Sequence, residues 1–403
     1  MLTRNDNETL ARVGPGTVMG DCLRQYWTPA FLSWEVEPDG APLRIRLMGE
    51  DLVAFRATDG TVSLMANACP HRGASMFFGR NEENGLRCVY HGIVFTYMGQ
   101  RSTPPAFPRL PWTTLPKEHV HVSMRMQMCN WAQAVEGGID SSHVSFLHSW
   151  LHPEQRPTPG GNRAGLATYT DTDKSPRFEV VDTPYGVLIG ARRDGAPGEY
   201  YWRITHFLAP FYTYIPGAVS LEANIGGHAW VPIDDTHTMT WSISWNYNRP
   251  ITEQEHATYD SFPGGGIHYG AAGRKPATTE PYGKWIPALA GENDFMHDRE
   301  LQKTKLYIGI EQFATQDSAI QETMGQIYDR TAEHLGGADT AIIRYRRRML
   351  NTARALRATG ETPVGVDAPD SYWGRSVSIM LPDTTPWVEG AADALRPFEG
   401  ALR

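Results

Sequence analysis

Residues 69–92, CPHRGASMFFGRNEENGLRCVYHG, constrain this chain more than any other stretch, because they set Cys69 and His71 in a Cys-x-His pair and Cys88 and His91 in a Cys-x-x-His pair. Two thiolates and two imidazoles delivered by two loops are a metal-ligand set, so the surrounding fold must present those loops side by side. The chain of 403 residues has only four cysteines. Cys22 and Cys129 have no ligand-type neighbours and are expected to be buried structural thiols. So sparse a set fits a reducing, cytoplasmic compartment better than a disulfide framework. The N-terminal MLTRNDNETLARVGPGTVMG lacks the apolar core of a secretory signal, and no run of apolar residues is long enough to span a bilayer, so no membrane partner is expected. Forty-five acidic against thirty-seven basic side chains, with no basic stripe, argue against nucleic acid.

Zinc in a small structural knuckle is one reading of the ligand set. The other is a Rieske [2Fe–2S] cluster, with His71 and His91 on one iron and Cys69 and Cys88 on the second, each loop giving one ligand to each metal. Pro70 and Gly73 stiffen and turn the first loop, and Gly92 permits close approach of the second backbone to the cluster sulfurs, which favours the cluster. Neutral imidazoles in place of two thiolates raise its potential into a range where it accepts electrons from a reduced flavin or ferredoxin and passes them on.

Around this motif the sequence predicts a small β unit. PLRIRLMGEDLVAFRATDGTVSLMANA alternates apolar and polar positions about Gly-Glu-Asp and Asp-Gly turns, after a helical stretch TVMGDCLRQYW. The proline-dense RSTPPAFPRLPWTTLP marks a boundary. This divides the chain into an N-terminal helix with a Rieske domain over 1–110, and a second domain over 111–403. The second domain is predicted to hold a helix around 135–148 and strands at YGVLIGARR, EYYWRITHF, GGHAWVPI and HTMTWSISWNY. A Gly-rich loop, FPGGGIHYGAAG, and a long helical tract over 306–337 follow. The fold class is α+β, an antiparallel sheet flanked by helices beside a small all-β domain.

EGGIDSSHVSFLHSW supplies a second ligand set. His143 and His148, five residues apart, would lie about 140° apart on an ideal helix, so both reach one ion only if the helix ends or bulges between them. Asp140, three residues before His143, is placed to accept its second imidazole N–H. Two histidines and one carboxylate make the facial triad of a non-haem Fe(II) oxygenase, with open positions for O2. The residues alone do not choose the carboxylate among Asp298, Asp317 and Glu322. In YYWRITHFLAPFYTYIP, Arg203 or His206, depending on register, is the candidate for binding a substrate carboxylate.

Across nearly its whole length the chain resembles the Rieske non-haem iron ring-hydroxylating oxygenases, and among them the α subunits of the phthalate-dioxygenase type. LARVGPGTVMGDCLRQYW, CPHRGAS, RNEENGLRCVYHG, NWAQAVEGGIDSSHVSFLHS, GHAWVPIDD, QDSAIQETMGQIYDRTAEHLG and SVSIMLPDTTPW carry the likeness. The resemblance implies that Cys69, His71, Cys88 and His91 hold the cluster, that His143, His148 and Asp317 hold the mononuclear Fe(II), and that Asp140 bridges His143 to the cluster of a neighbouring subunit. A homo-oligomer, a trimer or a pair of trimers, follows from that bridge. It further implies electrons from a separate NAD(P)H-dependent reductase with flavin or ferredoxin, and O2 and a small aromatic substrate, an aromatic carboxylate above all, as reactants. O- or N-demethylation and simple electron carriage are the alternatives. Glu136 is as in the phthalate branch, where naphthalene-type members have Asn. The sequence departs from the family after residue 92: YHG runs straight into IVFTYMG, where members carry further β structure, so the Rieske domain reads as shortened there.

Overall fold

A computed structural model describes residues 1–69, 73–87, 94–95, 105–155, 163–217 and 223–397. Helices α1 (Arg4–Ala11) and α2 (Val18–Leu23) open the chain. Thr3 and Asp6 form a reciprocal capping box on the first, and the Thr17 hydroxyl accepts from the Gly20 N–H on the second. Strands β1 (Leu43–Leu47), β2 (Glu50–Arg56) and β3 (Val62–Ala66) then make an antiparallel sheet, and β4 (Arg80–Glu82), β5 (Gly85–Arg87) and β6 (Val94–Phe95) a second one. Their tight turns are legible in the backbone. Met48 and Gly49 both have positive φ, as do Glu83 and Asn84, the twist that two-residue antiparallel hairpins require.

Helix α3 (Pro111–Thr114) is a single turn with proline at its first position, where the missing N–H costs nothing. It leads into strand β7 (Val120–Gln127) and helix α4 (Trp131–Ile139). Beyond helix α5 (Arg163–Thr172), the main sheet is built from β8 (Arg177–Thr183), β9 (Gly186–Asp194), β10 (Glu199–Leu208), β11 (Tyr212–Ile215), β12 (Ile225–Pro232) and β13 (Thr238–Trp245), and it is closed late by β14 (Val377–Pro382). Its order is β7-β13-β12-β11-β10-β9-β8, with β14 also paired to β10, and every pairing is antiparallel. Helices α6 (Glu253–Asp260), α7 (Arg299–Thr304), α8 (Phe313–Thr323) and α9 (Thr340–Thr359) flank it. The α+β class is confirmed. Among the described residues no helix is long and apolar enough to cross a membrane.

The helical expectations needed two corrections. The tract over 306–337 is not one long helix: α8 starts only after Gln312, whose side chain accepts from the Thr315 N–H, and it stops before Gly325, which adopts a φ of 96°. The longest helix is α9, whose buried Ala341, Tyr345, Met349 and Ala353 recur at intervals of four residues. It ends on Gly360 in the left-handed conformation. Helix α4 likewise stops at Ile139 and does not continue to residue 148.

One large core joins the two parts of the chain. Leu10, Met19 and Leu23 of the N-terminal helices, with Val13 between those helices, share it with Met349 and Leu350 of α9 and with the main sheet. The β1–β2 turn docks through two backbone bonds, Met48 N–H to Pro232 O at 3.1 Å and Gly49 N–H to Ile233 O at 2.8 Å. The two faces of the main sheet differ in character. Register aligns Met124, Met126, Trp241, Ile243 and Trp245 on one face, and Ser123, Arg125, Thr240, Ser242 and His228 on the other.

Candidate active site

The end of α4 starts the site. Asp140 is its C-cap, and the carboxylate reads the turn that follows: the Ser142 N–H donates to Oδ1 at 2.7 Å and the His143 N–H to Oδ2 at 3.1 Å. The helix therefore ends before either histidine, and a single 3-10 turn, His143–Ser145, takes over. This is the condition under which residues five apart can converge. Gly137 and Gly138 let α4 lie close: a Cβ on the first would sit 2.0 Å from Gln321, and one on the second 2.8 Å from Trp230.

Each imidazole is held by its Nδ1, which leaves Nε2 for a ligand. His143 Nδ1 lies 3.2 Å from Asp140 Oδ2. His148 Nδ1 lies 2.7 Å from Gln316 Oε1, and Gln316 is fixed in turn by donating from Nε2 to Ile310 O at 2.7 Å. The His148 ring stacks on Phe313, with centroids 4.0 Å apart. Both Nε2 atoms face one carboxylate on α8, Asp317, whose Oδ1 is 3.6 Å from His143 and 3.4 Å from His148. One donor atom from each residue falls within a 4.8 Å group. Two neutral-nitrogen donors and one carboxylate, on one side of a space otherwise open, match a divalent iron with vacant positions.

Electrostatically the three groups act on one another against the cost of their burial. Burial works against the Asp317 carboxylate, but His148, His143 and Arg125 pull its pKa down to about 2. Burial also opposes the charge on His143, yet its hydrogen bond to the Asp140 carboxylate and the field of Asp317 hold its pKa above the usual value. Asp140 is depressed against the same burial cost by His143 and by the two backbone N–H groups.

The triad lines a cavity of about 990 Å³. Register decides between the two substrate-binding candidates. Arg203 shares the cavity face of β10 with Tyr201 and Thr205, and its Nε donates to Ser141 Oγ at 3.1 Å. His206 is on the opposite face, 5% exposed, between the Tyr185 hydroxyl at 2.7 Å and Arg375 O at 3.1 Å. Burial lowers its pKa to about 4. It is a core histidine outside the cavity lining, so its assignment as a substrate contact is corrected: even-numbered positions of this strand point away from the site. Of the three acids left open by the residues, Asp317 faces the histidines. Asp298 instead caps α7, accepting from the N–H groups of Glu300 and Leu301, and Glu322 is outside the triad.

The structure adds residues that the sequence did not single out. Gln316 orients His148, and Arg193, fully buried, donates from Nη2 to Ser141 O at 2.6 Å and thereby braces the turn that carries His143. Gln316 opens the QDSAIQE stretch, but its role, like that of Arg193, is recognisable only from its contacts. In the small domain, Cys69 is 2% exposed. Its N–H donates to Ala74 O at 2.8 Å and its carbonyl accepts from the Gly73 N–H at 2.7 Å, with Gly73 at a φ of 74°. His71, Cys88 and His91 lie outside the described residues.

Comparison with known proteins agrees with this arrangement. Residues 26–115 match the model of the Rieske [2Fe-2S] domain, and residues 96–395 match that of the LigXa C-terminal domain like family. The chain is 37% identical over 427 residues to the 3-chlorobenzoate-3,4-dioxygenase oxygenase subunit of Comamonas testosteroni, covering 96% of this chain and 97% of that one. It is 38% identical over 411 residues to the phthalate 4,5-dioxygenase oxygenase subunit of Pseudomonas putida, covering 91% and 89%. Both alignments are longer than this chain, so the relatives carry residues with no counterpart here. Among solved structures, the Pseudomonas putida CBB5 NdmA QL mutant with caffeine shares the fold at a TM-score of 0.54 and 14% identity, covering 91% of this chain and 99% of that one.

Proposed function

The chain belongs to the Rieske non-haem iron oxygenases, as an oxygenase subunit of the aromatic ring-hydroxylating kind, and from that premise we propose that it hydroxylates an aromatic carboxylate with electrons from a separate NAD(P)H-dependent reductase carrying flavin or ferredoxin. The observation that carries the reading is a His143–His148–Asp317 triad on the wall of a cavity that also presents Arg203.

In this reading Cys69, His71, Cys88 and His91 hold the cluster, and His143, His148 and Asp317 hold the iron. Bound there, the iron would supply O2 activation beside the substrate and the cluster an electron. The protein's own part is orientation and charge. Asp140 and Gln316 keep the Nδ1 protons of the two histidines in place, so that Nε2 is the ligand atom on each. Asp317 stays ionised across the physiological range. Arg203, anchored at Nε by Ser141, has its remaining N–H groups for a carboxylate, and a planar guanidinium suits a bidentate grip. Trp230 and Phe313 offer flat apolar surface to an aromatic ring.

Asp140 also belongs to the proposal as the bridge to His91 of a neighbouring subunit, which makes a trimer or a pair of trimers the active assembly. The test is direct. Purified protein should show Rieske visible absorption and about three irons per chain. With a reductase, NAD(P)H and benzoate-type compounds, O2 uptake should depend on the aromatic carboxylate and yield a hydroxylated product. Two irons per chain, zinc, or uptake indifferent to the carboxylate would count against it.

A further inference from the structure

The polar face of the main sheet carries a line of histidines and serines that the site described above does not use. It runs across the strands in two rows. In the first, His121 of β7 is directly opposite Ser244 of β13. In the second, Ser123 of β7 is opposite Ser242 of β13, and Ser242 is opposite His228 of β12. Side chains opposed in this way share a face, with Cβ atoms about 4.5–5.5 Å apart. His268, 0% exposed on the loop after α6, joins the rows: its Nδ1 lies 2.9 Å from Ser123 Oγ and its Nε2 2.9 Å from Ser244 Oγ.

The two ends of the line differ. At one, His121 Nδ1 meets His256 Nδ1 of α6 at 2.8 Å, and His121 Nε2 lies 3.6 Å from Asp260, whose side chain is 69% exposed. At the other, His228 lines the cavity, and its Nδ1 has no hydrogen-bond partner among the described residues. Between these ends Ser123, Ser242, Ser244 and His268 are all buried.

Every member of the line can both take and give a proton. Burial, helped by the fields of His121 and His228, holds the His268 pKa well below its ordinary value, and burial takes that of His228 to about 3. Both rings are therefore neutral, with one nitrogen donating and the other free to accept. A hydroxyl fits either nitrogen, so two serines leave the His268 tautomer open. His206 shows the alternative, since the backbone carbonyl of Arg375 on its Nε2 admits only a donor there. Ser123 Oγ also accepts from the Tyr269 N–H at 3.3 Å, which leaves it one lone pair and its own proton.

Hydroxylation creates the demand for such a line. An aromatic ring, O2, two electrons and two protons give either a ring bearing two added hydroxyls, or one hydroxyl and a molecule of water. The reductase supplies the electrons, and the protons have to come from water. Resting on the reading that this cavity hydroxylates an aromatic ring, we infer that the line from His121 through His268 to His228 is a proton relay, which carries protons from solvent beside α6 to the oxygen being reduced in the cavity. At each link one N–H or O–H bond forms as the next breaks, so one proton enters at the surface end for each one delivered at His228. His268 is the residue on which the relay turns, because it joins the two rows.

The first test needs no turnover. NMR of the resting holoenzyme carrying isotopically labelled histidine measures exchange of the His268 ring N–H with water. A line that conducts from both ends keeps this exchange fast in His121→Phe and in His228→Phe, and loses it by about tenfold or more in the double variant, where only local opening remains. An unchanged rate in the double variant overturns the inference, and so does full loss in either single variant, which would mean that the opposite end does not conduct. The second test is His268→Gln, which keeps a donor and an acceptor for the two serines but does not shuttle a proton. In single turnover with benzoate its product formation should slow by about tenfold or more, because positioned proton transfer is worth about 10²–10⁴-fold, while iron content and benzoate Kd stay unchanged. A glutamine variant as fast as the unaltered enzyme overturns the relay, as does one whose rate falls only because iron or benzoate is lost; should the double variant not fold, this result decides. The two readings fail separately. Benzoate left unhydroxylated by the unaltered enzyme, with exchange lost in the double variant, refutes the aromatic-carboxylate reading and leaves the path in place, whereas hydroxylation with exchange indifferent to both ends refutes the relay alone.

Discussion

Gln316→Leu removes a side chain that holds the Nδ1 of His148, at nearly constant volume. Gln316 is 3% exposed and makes two short bonds, accepting from His148 at 2.7 Å and donating to Ile310 O at 2.7 Å. The leucine leaves a buried imidazole N–H and a backbone carbonyl to find other partners. An unmet buried group costs about 1–3 kcal/mol, so the loss of stability should lie in the range of about 2–6 kcal/mol before relaxation. The imidazole also loses what fixes its tautomer, and loss of such an outer partner weakens metal binding by about 10–100-fold. Urea unfolding measures the first effect and chelator competition for the mononuclear iron the second. Gln316→Glu keeps an acceptor for His148 but not the donor to Ile310, so it should retain most of the iron affinity while sharing part of the instability. A leucine variant that binds iron as tightly as the unaltered protein would refute the reasoning, and so would a glutamate variant as impaired as the leucine one.

Further predictions concern the other acids. Asp317→Ala should empty the mononuclear site and leave the Rieske spectrum intact, while Asp298→Ala should keep its iron and cost only about 1 kcal/mol of stability as a lost helix cap; metal analysis of the two variants compares them. Asp140→Asn should retain both metals yet slow cluster reoxidation by orders of magnitude in single-turnover mixing with O2, because the charge between the two imidazoles is gone; reoxidation at the normal rate would remove the bridge. Burial raises the Glu322 carboxyl to about 7, above its ordinary value of 4.5. Its contribution to stability is therefore complete below about pH 4.5 and is lost as pH rises through 7. Glu322→Gln should accordingly flatten the decline in stability between pH 5 and pH 8, and an unchanged profile in thermal denaturation would contradict that burial.

The spacing of short motifs carried most of what could be read in advance. Cys69, His143 and His148 are named by their neighbours in sequence, and the need for a helix end between the two histidines followed from 3.6 residues per turn alone. That end lies at Ile139, with Asp140 as its cap. Asp317 was harder, because a carboxylate 169 residues from His148 is selected by how α8 packs on α4, and packing has no local signature. Arg203 and His206 show the same limit at smaller scale. A strand fixes that two residues three apart face opposite ways, but which of them faces the cavity depends on the neighbouring strands. The overextended helix at 306–337 came from apolar spacing that continued through Gly309 and Gly325, whose positive φ values break the pattern.

Strands β7 and β13 show how a site can be hidden in an ordinary pattern. VHVSMRMQ and TMTWSISW alternate polar and apolar residues, the usual mark of a sheet with one face in water. Yet all eight positions of β13 are buried, as are the last five of β7. Polar residues that face inward must find partners, and most do: Gln127 donates to Gln321 at 2.7 Å, and the Ser123 and Ser244 hydroxyls lie 2.9 Å from the two ring nitrogens of His268. Arg125 stands in the same row without that satisfaction. His121 and His228 on the same face each have a ring nitrogen without a hydrogen-bond partner among the described residues as well. Alternation in a strand buried on both faces therefore marks a row of inward polar groups, and here Arg125 and His228 of that row line the cavity.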